Sequence, residues 1–145
     1  MSERTGPPAR PDLPKPRPRP TPLTQPFWDA LRDERVELQH CDDCGRWVYY
    51  PRSRCPGCLS EHLTWTEVDG RGTVYTFTVA EQATALPFAD EVPQLLALVE
   101  LTEGVRVSTT LVDVARDAIR VGMPVEPVFD HGDDGITLLR YRPSS

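Results

Sequence analysis

From Thr24 onward the spacing of hydrophobic residues switches between two periods, and each switch marks an element. Along FWDALRDE, Phe27, Trp28 and Leu31 recur at helical spacing with the charges mostly opposite, which predicts a short helix. Thr24 stands where a cap belongs, and Pro26 falls in the first turn, where its missing N–H costs little. A Phe–Trp pair on so short a helix is usually core. With little core beside it, docking onto another subunit is the second reading, so Phe27 and Trp28 are candidate partner-binding residues. After Glu34 the period falls to two: Val36, Leu38 and His40 alternate with Arg35, Glu37 and Gln39, a strand that runs straight into Cys41.

The second half reads as strands alone. GTVYTFTVAE alternates Val74, Thr76 and Thr78 against Tyr75, Phe77 and Val79. QLLALVELTEG is a buried strand ending in a turn, VRVSTTLVDV follows at hairpin distance, AIRVGMPVEPVFD is broken at Gly122, and a HGDDG turn precedes ITLLRYR. Five strands without a long helix predict a small closed barrel, for which the five-stranded OB-fold is the candidate. Gly122 is expected at a bulge or barrel corner. The longest irregular connection, EQATALPFADEVPQ, carries Leu86, Pro87 and Phe88, which either tuck under the barrel or face a ligand or partner.

Proline sets off the start of the chain. Nine of the 16 prolines of this 145-residue sequence lie between Pro7 and Pro26. Because proline fixes φ and removes a donor, this stretch is expected to be extended, as a semi-rigid linker or as an arm along a partner. The expected organisation is an arm over residues 1–23, a helix and metal ribbon over 24–68, and a barrel over 69–145. No window approaches the length of a membrane span, and no apolar leader resembles a secretory signal, so a soluble cytoplasmic protein with reduced thiols is expected.

All four cysteines fall in CDDCG and CPGC, ten residues apart. A Cys-x-x-Cys knuckle presents two thiolates on one side of a tight turn, and two knuckles complete a tetrahedron. Cys41, Cys44, Cys55 and Cys58 are therefore the candidate ligands of one structural zinc ion, since a sulfur-only tetrahedral set suits zinc over hard cations. Iron takes the same ligands and stays an alternative. Disulfides suit secreted proteins, and a redox pair would not need the second knuckle. His40 and His62 flank the quartet as bystanders. Four cysteines close the shell, so the metal is expected to stabilise rather than catalyse; such sites supply about 10–16 kcal/mol.

Charge narrows the barrel's role. Residues 61–145 carry a net charge of −8 and residues 1–60 a net of +2. A single-strand binder needs a cationic groove and stacking aromatics, so nucleic acid is not the expected partner.

Together, FWDAL, VELQHC, the knuckles CDDCG and CPGC joined through YYPR, GRGTVYTFTV, VPQLLALVEL and IRVGMPVEPVF resemble the zinc-ribbon/OB-fold acyl-CoA-associated family, first catalogued as a domain of unknown function. The resemblance runs from residue 24 to about 141. It implies a mainly β fold: a short N-terminal helix and rubredoxin-like zinc ribbon, then a five-stranded OB-fold barrel. It also implies a thiolase-superfamily partner in a hetero-oligomer, an acyl-CoA ligand, and in some members an upstream hydratase domain. In actinobacterial steroid side-chain degradation a similar domain pairs with a thiolase-like aldolase, which splits a steroid-CoA thioester into a ketone and propionyl-CoA.

The residues agree that this chain is not itself the catalyst. No cysteine is spare, His40, His62 and His131 lie beside the knuckles or in a turn, and Asp133-Asp134 reads as a solvated turn. A CoA thioester needs arginine for its phosphates and a narrow apolar groove for its pantetheine arm. Arg46, Arg52 and Arg54 cluster around the ribbon hairpin; Arg52, Arg54 and Phe88 are the candidate ligand-binding residues. The expected function is an accessory subunit of a thiolase-like or aldolase complex. The alternative is a stand-alone acyl-CoA-binding or single-stranded nucleic-acid-binding module.

Overall fold

A computed structural model describes residues 14–83 and 85–144; of the arm expected over 1–23, residues 1–13 lie outside the described residues. Among the described residues the one α-helix, α1 (Gln25–Arg32), buries Phe27 and Leu31 of the predicted face together with Ala30, while Trp28 is half-buried. Thr24 does not cap it through its side chain. It keeps helical backbone angles, and its Oγ1 instead accepts the Thr21 N–H at 2.9 Å, so the hydroxyl closes the preceding turn.

Two sheets follow. β1 (Val36–Cys41) is central in the first, with β2 (Trp47–Val48) on one side and β3 (Leu63–Val68) on the other, both antiparallel. The apolar run Trp47–Tyr50 thus yields only a two-residue strand before the chain turns away. The second sheet contains β4 (Gly72–Ala80), β5 (Gln94–Leu101), β6 (Arg106–Thr110), β7 (Pro124–His131) and β8 (Thr137–Pro143), in the order β6-β5-β4-β7-β8.

A parallel bridge between Leu111 and Tyr141 brings the two ends of that order together. The Val112 N–H donates to the Tyr141 carbonyl at 2.8 Å, and Thr109 Oγ1 to the Leu139 carbonyl at 2.9 Å. The sheet is thereby closed into the five-stranded OB-fold barrel.

The alternation read along β4 breaks at one residue. Val74 pairs with Val99 and Thr76 with Leu98, leaving Tyr75 as a bulge. The extra residue returns Phe77 to the face of Val74, so both pack on the barrel core, where strict alternation would set them apart. Tyr75 is left outside under the Arg106 guanidinium, 3.7 Å from its ring centre. Gly122, expected at a bulge or barrel corner, lies in the turn before β7 with φ 88°, and its N–H donates to the Val74 carbonyl at 2.7 Å.

The barrel core of Val74, Val99, Val107, Val125 and Tyr141 also takes in Leu38 from β1. A second cluster, Phe27, Leu31 and Val36, packs against Tyr49 and Trp65 of the ribbon half and against Phe129 and Leu139 of the barrel. The helix therefore joins ribbon to barrel. Buried Tyr141 adds a polar tie: its Oη donates to the Gly70 carbonyl at 2.7 Å, where β3 hands over to β4. Tyr141→Phe would leave that carbonyl without its donor and is expected to cost about 1–3 kcal/mol in chemical denaturation. Zinc content should not change.

Candidate metal centre and its surroundings

The two knuckles hang from the ends of β1, β2 and β3. In the first, the Gly45 N–H donates to the Cys41 carbonyl and the Cys41 N–H to the Arg46 carbonyl, at 2.9 and 2.8 Å. In the second, the Leu59 and Cys55 amides repeat the pattern with the Cys55 and Ser60 carbonyls, both at 2.9 Å. Each turn ends in a residue of positive φ, Gly45 at 77° and Leu59 at 64°. Glycine adopts that conformation freely, whereas leucine does so against its Cβ.

These turns bring the four sulfurs within 4.8 Å of one another. Cys41 and Cys58 stand 3.5 Å apart, as do Cys44 and Cys55. Zinc–sulfur bonds of about 2.3 Å in a tetrahedron place sulfurs about 3.8 Å apart, so the quartet fits the ion. The Cys44 and then the Asp43 backbone N–H groups lower the Cys41 thiol. Those of Cys58 and then Gly57 bring Cys55 down to about 6. The same amide geometry that shapes the turns favours the thiolates a metal needs. At Cys44 and Cys58 the amides of Arg46 and Ser60 also lower the thiol, but neighbouring sulfurs, Cys55 for the first and Cys41 for the second, together with desolvation outweigh them and both are raised.

Neither flanking histidine joins the quartet. His40 lies edge-on to Trp47, their ring centres 4.7 Å apart. His62 turns Nδ1 to Asp43 Oδ2 at 3.0 Å, and the Ser60 hydroxyl donates to the same oxygen. Ser60 and then His62 hold the Asp43 carboxyl below its ordinary range. Although the trio contains Ser, His and Asp, the carboxylate holds both partners, whereas a nucleophilic serine requires the imidazole on its hydroxyl. It is a polar clasp between knuckles. The other titratable turn, Asp133-Asp134, is not simply solvated: Arg17 grips Asp134 with two hydrogen bonds.

The remaining candidates fall in different places. The backbone N–H and carbonyl of Arg52 are held by the side chain of buried Gln39, at 2.8 and 2.9 Å, while its guanidinium is exposed. Arg54 turns back onto the ribbon, to Glu61 at 2.8 Å and the Leu59 carbonyl at 3.3 Å. Arg46 lies across Gly57, where a Cβ would stand 2.6 Å from its Nε.

Phe88 is half-buried in a short 3-10 helix, Leu86–Phe88, of the β4–β5 connection, on the barrel rather than the ribbon. Phe27 is core, buried against the rings of Trp28, Tyr49 and Tyr50. Trp28 is half-buried and donates Nε1–H to the Tyr50 hydroxyl at 3.2 Å.

One feature escaped the pattern reading. A groove of about 360 Å³ lies on the β4-β5-β6 face, lined by Thr76, Phe77, Thr78, Leu96, Leu98 and Ser108. The signal was present in QLLALVEL: Ala97, Val99 and Leu101 are buried, and the alternate Leu96 and Leu98 must point away from them. The volume is within the range of small-molecule sites. Among the described residues no helix is long and apolar enough to cross a membrane.

Comparison with known proteins gives both halves of the chain a match. Residues 28–64 match the family model of the ChsH2 rubredoxin-like zinc ribbon domain, and residues 65–130 that of the ChsH2 C-terminal OB-fold domain. The quartet is thus the ligand set of one structural zinc. A DUF35 domain-containing scaffold protein of Methanocaldococcus jannaschii is 35% identical over 108 residues, covering 70% of this chain and 75% of that protein.

A probable enoyl-CoA hydratase alpha subunit of Thermomonospora curvata is 39% identical over 119 residues. The match covers 81% of this chain but only 37% of the longer relative. Among solved structures, a chain of the Ltp2-ChsH2(DUF35) aldolase is 36% identical with a TM-score of 0.78, over 89% of this chain and 100% of that one.

Proposed function

Since the chain belongs to the DUF35 family of ChsH2-type zinc-ribbon and OB-fold proteins, we propose that it is a non-catalytic accessory subunit of a thiolase-superfamily enzyme acting on an acyl-CoA thioester. The observation that carries this reading is the similarity to the ChsH2 chain of an aldolase, which this chain matches over that chain's full length. The relative named a scaffold protein supports the same role, and so does the quartet, whose four thiolates leave zinc no open position for chemistry.

The partner's reaction is a retro-aldol C–C cleavage of the kind that releases propionyl-CoA from a steroid side chain. The match to part of a hydratase alpha subunit fits a setting in which a hydratase supplies the aldol substrate, from an upstream domain or a companion chain in the cytoplasm. Exposed Arg52, with Arg54 beside it, meets the CoA phosphates, and Phe88 borders the acyl path. Trp28, backed by Phe27, contributes to the partner interface.

The groove on the β4-β5-β6 face gives a stand-alone acyl-CoA-binding module its one supporting observation. Nucleic acid has none, because the net charge of residues 61–145 opposes phosphate.

Co-expression with a thiolase-superfamily protein from the same genome tests the proposal. A stable stoichiometric complex on gel filtration is the expected result; a monomer that binds acyl-CoA by itself would favour the alternative. Arg52→Glu with Arg54→Glu is expected to raise the KM of the complex for its CoA thioester about tenfold or more, since charge-assisted bonds to phosphate are lost. Unchanged kinetics would remove these arginines from the site.

A further inference from the structure

Residues 14–20, PKPRPRP, form neither helix nor strand, and two of their side chains reach two loops of the barrel. Lys15 Nζ lies 3.5 Å from both Asp90 Oδ1 and Glu91 Oε1, in the connection between β4 and β5. Arg17 sets Nε and Nη2 on the two carboxylate oxygens of Asp134 at 2.9 and 3.1 Å, and Nη2 donates to the Ile136 carbonyl at 3.2 Å. Asp134 and Ile136 belong to the turn between β7 and β8. Arg17 thus makes a two-pronged grip with a third bond, a geometry far more selective than an ordinary surface ion pair.

The receiving turn is shaped for that grip. Gly132 has an ordinary φ, yet a Cβ there would collide with Arg17 Nη2 and stand 2.8 Å from Asp134 Oδ1. The glycine provides room for the guanidinium. Arg17 first, and then the Ile136 amide, hold the Asp134 carboxyl at about 2, so the anion persists across the ordinary pH range.

Proline at positions 14, 16, 18 and 20 holds the cationic residues on an extended track before docking, which reduces the entropy lost on seating. In an OB-fold the connections between strands one and two and between strands four and five flank the face of strands two and three. Here those are the two gripped loops, and the face is that of β5 and β6, where Leu96, Leu98 and Ser108 line the groove.

We propose that residues 14–20 are an intramolecular strap, in which Lys15 and Arg17 tie the β4–β5 connection to the β7–β8 turn at the rim of the β5–β6 face. The two loops then loosen together when the arm is released. The strap stands on the chain's own contacts and does not depend on the accessory role, so its test needs no partner.

Hydrogen exchange on the full zinc-bound chain reads it directly. Arg17→Glu is expected to speed exchange about threefold to tenfold at amides of both 86–91 and 132–136, with β1 and β5 unchanged. Arg17→Glu combined with Asp134→Arg should restore the slow exchange. Gly132→Ala, which keeps every charge, should loosen 86–91 as well as its own turn, and 1 M salt should loosen both loops of the native chain. The strap is overturned if Arg17→Glu leaves 86–91 unaffected, if the charge swap fails to restore protection, or if the effect of Gly132→Ala stays within 132–136.

Discussion

Cys55→Ser is expected to release the zinc and unfold the ribbon while the barrel strands keep much of their structure. Cys55 is fully buried, its sulfur is 3.5 Å from that of Cys44, and its thiol is drawn down to about 6 by the backbone amides of Cys58 and Gly57. Serine keeps the shape but does not supply a thiolate, so the shell loses one of four soft ligands.

A structural zinc of this kind is worth about 10–16 kcal/mol, which exceeds the whole stability of most domains. The ribbon has no comparable core of its own. β2 is two residues long, and Leu38 and Val36 of β1 pack with the barrel and with the helix respectively. Metal analysis should fall from one zinc per chain towards none, with lost exchange protection in 36–68. Retention of a full zinc equivalent and an unchanged melting curve would refute the assignment.

Phe27→Ala should cost about 3–5 kcal/mol, the range for emptying a buried aromatic site. Only 3% of Phe27 is exposed, and its ring meets Trp28 at 5.2 Å and Tyr49 and Tyr50 at 5.8 Å, all edge-on. With Leu31 and Val36 it forms the cluster on which helix, ribbon and barrel converge, so the cavity cannot close by moving one element alone. Trp28→Ala should cost less stability, because Trp28 is only half-buried, and under the proposed role more of its effect should appear in partner binding. Equal, small losses of stability at the two positions would contradict this division between core and surface.

How far these features could be read in advance depends on the range over which each is determined. The zinc ligands were legible because a knuckle is a local device, with two cysteines three apart and a turn between them. The helix face and five barrel strands were legible for the same reason, their periods being written within a few residues. The bulge at Tyr75 was not, since only the register against β5 reveals an extra residue, and strict alternation along GTVYTFTV already put threonine and valine on a plausible face. Thr24 read as a cap because its neighbours suit one, yet its hydroxyl was claimed by Thr21. The pairing of Arg17 with Asp134 joins positions at opposite ends of the chain, and no pattern of charge within either segment announces it. Arg54 and Arg52 looked alike in PRSRC; Glu61 engages one, while Gln39 holds only the backbone of the other.

The central claim is that this chain lends structure to an enzyme and performs no bond cleavage itself. It is tested most directly by measuring acyl-CoA turnover with the zinc-bound chain alone, the proposed thiolase-superfamily partner alone, and the two reconstituted at equal concentration. The account predicts no turnover by the chain, little by the partner, and at least a tenfold rise on combining them. Turnover by the chain alone, or a partner equally active without it, would contradict the account.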